Sequence, residues 1–160
     1  MEAWDESQAR LPEGYGRTSE GFEALADAFA VIHTTGERVC EAELYRLQGE
    51  LSLQAAVQRR QSTPTTAQSL SSNTQDAIRT THAEAEAEAC FLQALEVARR
   101  QQAKSLELRA AMSLARLWRQ QHKRAEAHRL LADIYHWFAE GFETPELREA
   151  TVLLQDLADN

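Results

Sequence analysis

Nine bases fall between Arg99 and Arg129, opposed only by Glu107 and Glu126, in a chain whose formal net charge is −8. Three of them, Arg109, Arg116 and Arg119, recur at i, i+7 and i+10, which places them on one side of a helix. Guanidinium groups so arranged can grip carboxylates or a phosphate through forked, charge-assisted hydrogen bonds. Together with Met112 on the same stretch, and Glu43, Arg46 and Glu50 on an earlier one, they form a candidate partner-binding face. Nucleic acid is the poorer target, because no aromatics interleave the bases and the surrounding field is negative.

The remaining chemistry-bearing residues are scattered. No two of the five histidines (His33, His82, His122, His128, His136) form an i, i+4 pair and no carboxylate–histidine cluster accompanies them, so no metal site is expected. Cys40 and Cys90 both fall in helical stretches, and Cys90 precedes Phe91 at a position suited to a small buried hydrophobe. Glu84, Glu86 and Glu88 alternate with alanine, which spreads them around a helix instead of pairing them for acid–base work. Gly14-Tyr15-Gly16 lacks the Lys-Ser/Thr of a phosphate-binding loop. No catalytic residue, cofactor or metal is therefore expected. The string Tyr135-His136-Trp137-Phe138, with Phe142 beyond it, supports two uses. Tyr135, Trp137, Phe138 and Phe142 either dock a partner or pack the end of the fold against a last helix.

The elements that position these residues follow from periodicity. Apolar residues at helical spacing predict helices near 18–33, 38–54, 82–101, 104–121, 124–139 and 145–158, with Thr144-Pro145 opening the last. No strand pattern survives, so the fold class is all-α, in a single domain spanning 1–160. Between the second and third helices, residues 54–82 contain 15 Gln, Ser or Thr in 29 positions. Such composition without a sustained apolar period predicts a polar, mobile insertion loop, with at most a short helical turn near Gln75–Arg79. No stretch approaches the ~18–20 uninterrupted apolar residues of a membrane span. MEAWDESQAR is acidic and has no apolar leader core, and the two cysteines make no disulfide framework, so a cytoplasmic setting is expected.

The helices also repeat. A small residue, a large apolar one four later and a small or apolar one three further on occur at Gly21/Leu25/Ala28, Ala87/Phe91/Ala94 and Ala127/Leu131/Ile134. The offsets are 66 and 40 residues, the larger containing the polar insertion. The preceding helices align under the same shift of 66, with Gly49 on Ala115 and Leu51 on Leu117. A small residue at mid-helix admits a close neighbour, which explains a glycine there. The shift also sets Glu43 beside Arg109 and Glu50 beside Arg116, so inter-repeat ion pairs compete with partner binding for two of the three arginines.

This spacing resembles the second helix of the tetratricopeptide repeat, although the period is near 40 and His122 stands where a turn glycine is usual. The strings GERVCEAELYRLQGEL (36–51), EAEACFLQALEVARRQQAKSLELRAAMSLARLW (86–118) and RAEAHRLLADIYHWFAEGFETPELREATVLLQDL (124–157) are similar to the C-terminal helical-repeat arm of bacterial signalling proteins. Those proteins carry a triphosphatase module and often an adenylate/guanylate cyclase or a transcriptional-regulator domain. The resemblance implies helical hairpins stacked as a short right-handed solenoid with a C-terminal capping helix. It further implies a non-enzymatic interaction module in signal transduction, whose partner is a protein, a peptide or an attached ATPase or cyclase domain. A self-associating dimerisation element is the alternative. Neither nucleic acid nor membrane is an expected partner.

Overall fold

The computed structural model describes residues 15–62 and 70–159. Six helices, and no strand among the described residues, make it all-α: α1 (Tyr15–Thr35), α2 (Glu41–Ser62), α3 (Leu70–Arg100), α4 (Lys104–Gln120), α5 (Arg124–Tyr135) and α6 (Pro145–Ala158). Each helix packs against the next, and in addition α2 packs against α4 and α4 against α6. No helix is long and apolar enough to cross a membrane.

The expected loop over 54–82 is corrected. Residues 54–62 close α2 and residues 70–82 open α3, while 63–69 lie outside the described residues. The proposed turn at Gln75–Arg79 is thus part of a continuous helix. Low hydrophobicity misleads here because Gln, Ala and Arg are good helix formers, and because helix pairing needs only a narrow apolar seam. Ala55 is buried on the α2 extension, and Ala83 is buried immediately beyond the α3 extension. Thr18 of α1 adds a hydrogen bond, its Oγ1 donating to Gln58 Oε1 at 3.1 Å.

The core runs through α3, α4, α5 and α6, where Phe91, Leu108, Leu114, Leu117 and Leu131 are fully enclosed. Helix α4 is its centre: nine of its seventeen residues are buried, including the charged Glu107. Small residues set the closest approach, as their spacing predicts. A Cβ at Gly49 would stand 2.7 Å from Phe91 Cε1 and 3.1 Å from the Ala87 carbonyl oxygen, so only glycine lets α2 lie this near α3.

Two turns share one geometry. After α3 and after α4, Gln102 (φ 56°) and His122 (φ 62°) adopt left-handed conformations. Ala103 N donates to Ala98 O and Lys123 N to Trp118 O, closing each helix in a Schellman turn. His122 thus occupies the place where glycine is usual, with the backbone conformation glycine would adopt. Helix α5 ends at Tyr135, four residues before the predicted 139. The following backbone tightens, Trp137 N bonding to Ile134 O and Phe138 N to Tyr135 O, and Phe138 packs against the core.

Candidate functional site

The exposed sides of α2, α4 and α6 enclose a depression of about 240 Å³, lined chiefly by Arg46, Arg109, Met112, Ser113, Arg116 and Glu149. Four of the seven residues of the predicted partner-binding face therefore line one concavity. Glu43 and Glu50 are bonded to its arginines, and Arg119 pairs beyond it.

Arg46 is the best-anchored member. Its Nη2 and Nε donate to the two carboxylate oxygens of Glu43 at 2.7 and 2.9 Å, a forked pair one helical turn apart. Its Nη1 reaches Glu50, and Ser113 Oγ of α4 donates to the same carboxylate at 2.8 Å. The hydrogen bond to Glu43, outweighing desolvation, and the nearby Glu50 charge hold the Arg46 guanidinium above its usual value. Arg46 is thus held chiefly by the carboxylates of its own helix.

The arginines of α4 face outward between carboxylates of α2 and α6. Arg109 Nη1 lies 3.3 Å from Glu43 Oε1, as the shift of 66 predicts, and its Nη2 lies 3.8 Å from Glu146 of α6. Arg116 pairs with Glu149 of α6 instead of the predicted Glu50, and Arg119 pairs with Asp156. Glu50 is turned toward Arg46 and Ser113, which removes it from reach of Arg116. The α6 acids escaped the sequence reading, although applying the 40-residue offset to α4 would have marked Glu149 and Asp156. These outer pairs are half-exposed, with Arg116 and Glu149 side chains 36% and 61% accessible. Pairs so exposed contribute about 0–1 kcal/mol each. An incoming carboxylate can therefore exchange with them at small cost.

The aromatic string divides. Tyr135 shares a hydrogen bond of 2.8 Å with Thr151 Oγ1 of α6, and it and Phe138 pack against the core, which is the capping role. Trp137 and Phe142 remain 60% and 45% exposed. Trp137 stands edge-on to Phe138, with Lys104 Nζ 5.6 Å from its ring centre, and Phe142 lies against Tyr135.

Burial, then the Glu86 charge, pushes the Cys90 thiol up, away from the thiolate a nucleophile requires. Among the described residues no group of three His, Cys, Asp or Glu converges as metal ligands would. Glu107 is buried between Arg99 Nε at 2.9 Å and Lys104 Nζ at 2.7 Å. Burial pushes its carboxyl up, but the hydrogen bonds from Lys104 and Arg99 prevail and hold it below the ordinary glutamate value. This triad, with Glu107 buried and its two cations partly exposed, ties α3 to the start of α4.

No protein-family model matches the chain, and neither a curated protein nor a solved structure matches it.

Proposed function

We propose that the chain is a non-enzymatic helical-repeat module that binds an acidic peptide or protein segment across α2, α4 and α6. In this reading the hairpins stack as a short right-handed, tetratricopeptide-like solenoid capped by α6. The module serves as a regulatory arm for a bacterial cyclase or ATPase signalling protein, encoded alongside it or attached to it. The observation carrying the reading is the depression itself: Arg109 and Arg116 project into one concavity, Arg116 held by the exposed Glu149 and Arg109 shared between Glu43 and the half-exposed Glu146. A ligand carboxylate replaces Glu149 on Arg116, and Met112 offers an adaptable apolar floor beside it.

An array of acidic peptides probed with the wild-type chain tests this. The wild type retains a subset of acidic peptides, and Arg109→Glu/Arg116→Glu loses them by roughly 10–100-fold, the scale of one or two charge-assisted hydrogen bonds. Equal retention by both proteins, or none by either, refutes the proposal. Mixing with the cyclase or triphosphatase encoded next to it, and following turnover, tests the regulatory part separately.

A further inference from the structure

The repeat offers a way to ask what each helical groove is built to hold. Shifting α1 and α2 by 66 residues puts Leu25 on Phe91, Phe29 on Leu95, Tyr45 on Ala111 and Gln48 on Leu114. All four target residues are buried. Helix α2, which packs on both α3 and α4, covers that side, with Gly49 directly over Phe91. One unit on, α4 holds the same relation to α5 and α6. At the start of the stack the relation is incomplete: among the described residues α1 packs against α2 alone. The groove that the described residues leave open measures about 380 Å³ and is lined chiefly by Phe22, Ala26, Phe29 and His33 of α1 with Tyr45 and Gln48 of α2, above the buried Leu25. The four α1 positions recur at i, i+4, i+7 and i+11, the seam of one helix awaiting another.

Charge selects among occupants. Glu23 and Asp27 each follow a lining residue by one position, and Glu20 and Glu37 stand exposed on the same helix and its exit. Of the three described bases up to residue 50, Arg17, Arg38 and Arg46, the last is committed to Glu43 and Glu50. A second copy docking α1 on α1 would set these acids against themselves. Docking by α6 of a second copy is no better, since its exposed positions include Arg148, Glu149 and Gln155 with one valine, Val152. We infer that the α1–α2 groove is a docking site for a basic-flanked amphipathic helix of a partner protein, seated as α2 is seated on α3 and α4. The seam of that helix would be apolar with a small residue over Leu25, as Gly49 lies over Phe91. The inference rests on the chain being an interaction module, and it adds a surface separate from the arginine depression.

The test uses the full chain and two labelled helical peptides of about 18 residues, five turns. Both carry leucines at i, i+4, i+7 and i+11 around a central alanine, one flanked by lysines and the other by glutamates. Fluorescence anisotropy is expected to show the lysine-flanked peptide binding at least about tenfold more tightly, with Phe29→Asp removing at least about tenfold of that affinity. Because Phe29 also touches Tyr45 at 5.0 Å between ring centres, Glu23→Lys/Asp27→Lys provides a variant confined to exposed positions. It should fold as the wild type does by circular dichroism and lose the preference for lysine flanks. Equal affinity for both peptides, absence of binding, or indifference to both variants overturns the inference. So does concentration-dependent dimerisation abolished by Glu23→Lys/Asp27→Lys, or binding that appears only after deletion of residues 1–14. Arg109→Glu/Arg116→Glu should leave this binding unchanged. Absence of acidic-peptide retention by the wild type, with helix binding intact, therefore sinks only the earlier proposal, and the converse sinks only this one.

Discussion

Single residues fix this chain in two ways, through backbone conformations that side chains resist and through a charge enclosed by two cations. Gln102 and His122 hold positive φ values that cost a non-glycine residue about 1–2 kcal/mol. His122→Gly should therefore stabilise the protein by about 0.5–1 kcal/mol once the added freedom of the unfolded chain is subtracted, measured by urea denaturation. A destabilised variant would mean that the His122 ring makes contacts outweighing the strain. Glu107 makes stability depend on acid. Its folded-state value is depressed, so its contribution is complete above the unfolded glutamate value of about 4.3 and is lost as pH falls through the lower folded value. Glu107→Gln should cost stability at pH 7 and less at pH 3, which lies below the unfolded value. An equal difference at both values would contradict the triad with Arg99 and Lys104.

At the scale of elements, close approach explains both what the sequence revealed and what it concealed. Gly49 was legible because a helix interior tolerates glycine only for a reason, and the repeat pointed to the reason. Gly49→Ala gains about 1 kcal/mol of helix propensity but drives a methyl into Phe91 and a carbonyl, which costs about 1–3 kcal/mol. The net effect is destabilisation, whereas Gly21→Ala meets only the flexible end of Leu51 and should be neutral or mildly stabilising. Thermal denaturation of the two variants side by side decides it, and equal shifts would refute the packing argument. The 66-residue offset likewise revealed the Arg109–Glu43 pair, because adjacent equivalent helices bring equivalent positions together. Two features stayed hidden. Across the extensions of α2 and α3, 54–62 and 70–82, the one buried residue among the described side chains is Ala55, too little to register as an apolar period. Glu50 faces Arg46 because an intrahelical partner four residues away is nearer than one on a neighbouring helix, a competition that an inter-helix offset does not include.

Across the whole molecule, burial is uneven. The core centres on α4, which touches α2, α3, α5 and α6, while α1 rests on α2 alone among the described residues. Native-state hydrogen exchange should accordingly show α1 amides exchanging through local opening, with free energies below the global value that α4 amides report. Uniform protection of both helices would imply that α1 gains support beyond α2. The two ends also differ chemically. At one, Tyr135 and Phe138 close the core against α6. At the other, Phe22 and Phe29 line a groove edged by acids. A binding partner for the groove would raise the protection of α1 without altering that of α4.

No described helix packs against anything farther along the chain than its next-but-one neighbour. During synthesis, each element leaving the ribosome therefore finds its contacts in what has emerged just before it. The loops to be closed are short, so little entropy is spent before packing repays it, and rapid folding without a long-lived exposed core follows.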